Sequence, residues 1–255
     1  MRAICLWSGP RNVSTAVMYS FAQRPDTCVV DEPLYGHFLR VTGTLHPGRE
    51  EVMASLNCDG DKVMRDLLTY PNESSDILFM KQMAHHLVDI DRTFLSKTQN
   101  IFLIRDPEQM LPSLTQNLPC AGLNDTGLKT QWDLFEELIS RGQVPAVVDS
   151  CELLSEPRRV LYELCGHLGI DFFDEMLSWD AGARKEDGIW AKYWYQKVHE
   201  STSFARHTLK EKFNELFKEW FDILVEDESK TVMVDEEFTP ILRQNGVEQV
   251  FRRFS

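Results

Sequence analysis

The sequence has no run of about 20 apolar residues, the length that spans a bilayer. Its first apolar stretch, Ala3 to Trp7, is too short for a secretory core and leads straight into Gly9-Pro10. This points to a soluble, cytoplasmic chain with no membrane partner. Positive charge is scarce as well. Lys and Arg number 27 against 40 Asp and Glu, a net charge of -13. Nucleic-acid surfaces need clustered cations, so nucleic acid is not the expected partner. One anionic ligand in a local positive pocket remains compatible with that charge. The six cysteines (Cys5, Cys28, Cys58, Cys120, Cys151, Cys165) form no CxxC pair and no cluster with histidine. A disulfide framework and a zinc site are therefore both disfavoured, and no metal is expected. Repeats, low-complexity tracts and long linkers are missing too, so residues 1–255 read as one domain.

What is present is a series of short apolar runs separated by helical patterns. Residues 3–7, 27–30, 77–80, 100–104 and 145–149 read as buried strands. Helices are expected over Ser14 to Gln23, Arg49 to Leu56, Asp59 to Leu68, Glu108 to Gln116, Lys129 to Arg141 and Pro157 to Leu168. A further amphipathic helix is expected over His207 to Val225, with Phe213, Phe217, Trp220 and Phe221 as a core stripe. Strands alternating with helices define an α/β fold, a parallel sheet flanked by helices. Ligands of such sheets bind beyond the carboxyl ends of the strands. Four of those ends carry polar residues: Ser8 onward, Asp31-Glu32, Lys81 and Arg105-Asp106.

The first of these, Ser8-Gly9-Pro10-Arg11-Asn12-Val13-Ser14-Thr15, joins a strand to a helix start. Unpaired N–H groups of a first helical turn attract anions, Ser14 and Thr15 add hydroxyls, and Arg11 adds a charged fork. The loop lacks the second glycine and the lysine of G-x-x-x-x-G-K-[ST], so a nucleoside triphosphate kinase is disfavoured.

Pro10-Arg11-Asn12-Val13-Ser14-Thr15 resembles the 5′-phosphosulfate loop of sulfotransferases, whose usual form is Pro-[Lys/Arg]-Ser-Gly-Thr-Thr. Asn12-Val13 stands where that pattern has Ser-Gly. Arg105, Pro107 and Ser113 resemble the family's 3′-phosphate motif, in which a serine follows a strand-end arginine by eight residues. Glu32-Pro33 resembles the Glu-Pro-x-Trp segment of carbohydrate sulfotransferases. Lys81 stands where soluble sulfotransferases carry Lys-x-His, although the histidine position is Met83 here. The resemblance implies a P-loop-like sulfotransferase fold and 3′-phosphoadenosine 5′-phosphosulfate as co-substrate. Pro10, Arg11, Asn12, Val13, Ser14, Thr15, Arg105 and Ser113 would hold that donor.

By the same resemblance Glu32 is the base; the leaving side of such a transfer gains negative charge, and Lys81 with Arg11 is expected to supply the positive charge there. His37, close to Glu32 in the chain, is expected to contact a small-molecule acceptor bearing a hydroxyl or amine. His85 and His86 are weaker alternatives as base. The aromatic segment Trp190 to Tyr195 reads equally as a lid or as a satellite core. Two other functions fit the same residues. One is a catalytically inactive nucleotide-binding protein of the same fold, and the other is a P-loop-type small-molecule kinase.

Overall fold

The computed structural model describes residues 1–69, 75–117 and 123–205. Five strands form one parallel sheet: β1 (Arg2–Ser8), β2 (Thr27–Asp31), β3 (Ile77–Met83), β4 (Gln99–Ile104) and β5 (Ala146–Asp149). The helices are α1 (Ser14–Ala22), α2 (Tyr35–Thr42), α3 (Arg49–Ser55), α4 (Gly60–Thr69), α5 (Pro107–Asn117), α6 (Leu123–Thr126), α7 (Leu128–Ser140), α8 (Ser150–Ser155), α9 (Pro157–Leu168), α10 (Ala191–Trp194) and α11 (Gln196–His199).

The continuous apolar run of β1 has the cause expected of a parallel sheet covered on both faces. Ile4 and Leu6 point to one side, into a core with α1 and α9. Ala3, Cys5 and Trp7 point to the other, against Met64 of α4 and Leu134 of α7. The strand order is β2-β3-β1-β4-β5. From β1 the chain turns one way, to β2; from β4 it turns the other way, to β5. The crevice between the carboxyl ends of β1 and β4 is therefore the topological switch point, where such sheets bind ligands.

All five expected strands are present, with one difference. β3 continues through Lys81 to Met83. A lysine in a fully buried strand is unexpected from pattern alone, and its ion pairs explain it below. Helix α2, directly after Glu32-Pro33, was not expected. The helix expected over His207 to Val225, with its aromatic stripe, lies outside the described residues.

Candidate functional site

A cavity of about 920 Å³ opens beyond the carboxyl ends of β1, β3 and β4. Pro10, Arg11, Asn12, Val13, Ser14 and Thr15 form its floor. A Cβ on Gly9 would stand 2.5 Å from the Thr126 carbonyl oxygen, so a glycine is required for this close approach. Arg11 (φ 60°) and Val13 (φ 57°) are both left-handed, while Asn12 between them is not. Each left-handed residue costs about 1–2 kcal/mol. Alternation of this kind turns successive N–H groups toward one point, an anion-binding nest. Val13 is also the N-cap of α1, and no side chain caps that helix start. Its first N–H groups thus lack a cap where the nest opens. The Asn12 side chain turns away from the cavity: it is fully buried, and its Nδ2 donates to the Leu103 carbonyl at 3.1 Å. Asn12 anchors the loop to β4, leaving the backbone to face a ligand.

Arg11, Arg105 and Ser113 come together at the switch point. Arg105 Nη1 donates to the Arg11 carbonyl at 2.7 Å, and Arg11 Nε donates to Ser113 Oγ at 2.8 Å. Arg11 Nη1 also donates to the Trp194 carbonyl at 3.2 Å. Among the described residues neither guanidinium has an ion-pair partner, and Arg105 Nε is buried with no acceptor. Burial disfavours the charge on both; for Arg11 the repulsion of Arg105 adds to it, while for Arg105 Cys151, Asp106 and Asp149 partly oppose it. Two half-buried cations with unused donors face one cavity, an arrangement whose chemistry suits a multiply charged anion.

At the β2/β3 end the charges are matched. Lys81 Nζ donates to Glu32 Oε1 at 2.5 Å, to Tyr195 Oη at 2.6 Å and to Asp31 Oδ1 at 2.9 Å, so all three of its hydrogens are used. Lys81 sits beside Asp31 because β2 and β3 pair in that register. Glu32 follows at φ 38°, a strained turn that releases the chain into α2. Burial pushes the Glu32 carboxyl above its usual range; Lys81 opposes this and Asp31 adds to it. Burial alone would lower Lys81, but Asp31 and Glu32 outweigh it and hold the ammonium above its ordinary value.

Tyr35, His46, His85 and His86 line the adjoining wall. Tyr35 Oη pairs with His46 Nδ1 at 2.9 Å, and Tyr35 stacks on His86 with ring centroids 4.8 Å apart. Burial, then His46, pulls His85 down to about 3, and His86 falls well below its usual value. These imidazoles are neutral and weakly basic, whereas the Glu32 carboxylate is a stronger base than usual.

The structure does not bring His37 to the cavity. Its Nε2 faces the Val88 carbonyl at 2.7 Å, and its Nδ1 accepts from the Gly60 N–H at 3.2 Å. On α2 it lies two residues from cavity-lining Tyr35, about 200° round the helix, and so ties α2 to α4 from the opposite face. His46 and Tyr195 are cavity residues that sequence reasoning did not single out. For Tyr195 the only signal was the aromatic run Trp190 to Tyr195, which gives no hint of a partner 164 residues away. Among the described residues no group of three or more His, Cys, Asp or Glu could hold a metal ion, and no helix is long and apolar enough to cross a membrane.

Residues 1–210 match the family model of the sulfotransferase domain, and the chain belongs to that family. It is 42% identical over 200 residues to the branched-chain-amino-acid aminotransferase-like protein 1 of Arabidopsis thaliana, covering 78% of this chain and 36% of that one. Its identity to the aminotransferase-like protein 2 of the same plant is 38% over 206 residues, covering 80% and 36%. The chain thus spans about a third of the length of the curated relatives it matches. Among solved structures, it resembles the sulfotransferase domain of the Synechococcus PCC 7002 olefin synthase, with 18% identity and a TM-score of 0.48 over 86% of this chain and 94% of that one. It also resembles a mouse sulfotransferase complexed with PAP, with 16% identity and a TM-score of 0.40 over 89% and 85%.

Proposed function

We propose that this chain is a sulfotransferase that moves a sulfuryl group from 3′-phosphoadenosine 5′-phosphosulfate to a hydroxyl or amine of a small acceptor. The observation that carries this reading is the pair Arg11 and Arg105, two guanidiniums with no ion pair among the described residues that share one cavity with the Glu32–Lys81 pair. The residues fit such a donor. The uncapped start of α1, with Ser14 and Thr15, suits the 5′ end, and Arg105 with Ser113 suits the 3′-phosphate. Arg11 bonds to Ser113, so it serves the 3′ side as well as the loop.

Bound there, the donor supplies an already activated sulfuryl group, and the protein's share is positioning and charge. Glu32 takes the proton of the acceptor hydroxyl or amine. The acceptor atom forms its bond to sulfur as the bond to the bridging oxygen breaks, and 3′-phosphoadenosine 5′-phosphate departs with that electron pair. Lys81, all of whose hydrogens are taken, holds Glu32 in place rather than reaching for the leaving group. Charge on the leaving side falls to Arg11 and to the α1 amides.

One observation favours a second reading, an inactive nucleotide-binding protein: Lys81 is wholly engaged inside the protein. Isothermal titration with 3′-phosphoadenosine 5′-phosphate, followed by transfer assays with a radiolabelled donor, separates the two. Binding with transfer supports the enzyme, binding without transfer to any acceptor supports the second reading, and no binding at millimolar nucleotide sinks both.

A further inference from the structure

Two carboxylates, Asp31 and Glu32, compete for one ammonium in a buried cluster. Left alike, they would share a proton between them, and neither would be a defined base. Tyr195 makes them unlike. Its hydroxyl has one hydrogen to give and two lone pairs to offer. The lone pairs are taken by Lys81 Nζ at 2.6 Å and by Trp190 Nε1 at 3.2 Å. For the hydrogen Asp31 is the nearer acceptor, with its oxygens 2.7 and 2.9 Å away against 3.3 Å for Glu32 Oε1. Asp31 also accepts from the Gly188 N–H at 3.2 Å and from Lys81. Asp31 therefore has three donors, whereas Glu32 has Lys81 and only a long contact to the Tyr195 hydroxyl, and Glu32 Oε2 has no partner among the described residues while its residue lines the cavity.

We propose that Tyr195 is a positioning residue that commits Asp31 and Lys81 to each other and so leaves Glu32 as the one carboxylate free to exchange a proton with the acceptor. The inference rests on the reading of Glu32 as base. Tyr195 reaches the cluster on the segment 187–199, which is tied to α1 and α3 and closed on itself by one further contact. Tyr19 Oη donates to Asp187 at 2.6 Å, His199 Nε2 meets the same carboxylate at 2.9 Å, and Lys192 pairs with Glu51 of α3 at 2.6 Å. The groups that face Glu32 are Asp31 on β2, Lys81 on β3, Tyr35 on α2 and Tyr195 itself, with His86 facing Lys81.

The test is Tyr195→Phe, which keeps the ring and removes the hydroxyl. Affinity for 3′-phosphoadenosine 5′-phosphate should stay within about twofold, because Tyr195 touches no donor-side arginine, while kcat falls by about tenfold or more. The acid limb of the kcat/KM profile should move to higher pH, since the cluster loses a donor that favours its negative charge. Tyr195→3-fluorotyrosine, a stronger donor of the same shape, should move the limb the other way and retain activity even if the Phe variant folds poorly. Carbon-13 NMR titration of the Glu32 carboxyl reads the same shift without turnover. An unmoved Glu32 titration in both variants overturns the proposal. If the wild type binds nucleotide but transfers nothing, the enzyme reading fails instead, and the NMR titration still decides what Tyr195 does to Glu32.

Discussion

At the β1/β4 end of the cavity, Arg105 donates to the Arg11 carbonyl and Arg11 donates to Ser113, and among the described residues neither guanidinium forms an ion pair with a carboxylate. At the β2/β3 end, some of the same cavity's wall is made by Lys81, which has two carboxylates and a phenol to itself. Both ends bury charge, which is costly unless it is matched. On the proposed function, the first end leaves the match to an anionic ligand. The second completes it inside the protein and fixes a carboxylate of raised basicity at the cavity wall. On that proposal, binding and chemistry fall to different strand pairs of one sheet.

Breaking the β2/β3 end should have the largest effect. Glu32→Gln should cut turnover by about 10²–10⁴-fold, the usual worth of a general base, while calorimetry shows nucleotide affinity unchanged. Lys81→Met should cost about 3–5 kcal/mol of stability in urea denaturation, because it strands two buried carboxylates. Breaking the β1/β4 end should leave the fold intact. Arg105→Ala should weaken nucleotide affinity by about 10–100-fold, matching the roughly 1.5–3 kcal/mol of charged hydrogen bonds, with no loss in melting temperature. His37→Ala, outside both ends, should cost about 1–3 kcal/mol through the unpaired Val88 carbonyl and Gly60 N–H.

The smallest effect is a slope. The folded protein binds the Glu32 proton more tightly than the unfolded chain does, so its stability falls as pH rises from the ordinary value of 4.5 toward the raised folded value. Glu32→Gln should remove that slope, and its stability relative to wild type should improve across that interval in denaturation curves taken at several pH values.

Much of the first end is readable in the sequence. The strand-turn-helix passage from Ser8 to Thr15 is a local pattern that predicts an anion site, and Arg105 joins it through the resemblance of Arg105, Pro107 and Ser113 to a 3′-phosphate motif. What the pattern does not give is that Arg11 reaches Ser113, since that contact depends on β4 lying next to β1. The second end is less legible. Glu32 and Lys81 stand out as strand-end polar residues, but the length of β3 was underestimated because lysine argues against a buried strand until its partners are known. His37 looked like a neighbour of Glu32 because the intervening helix was not foreseen, and helical geometry turns it to the other face. Tyr195 was hidden for a different reason. Its partners lie on strands near the start of the chain, and no periodicity in residues 190–195 encodes a contact made across the whole fold.

Isothermal titration of the wild type and of Arg105→Ala with 3′-phosphoadenosine 5′-phosphate tests the central claim most directly. The account predicts one site per chain in the wild type and an affinity at least about tenfold weaker in the variant. No heat of binding to the wild type at millimolar nucleotide, or equal affinity in the two proteins, would contradict it.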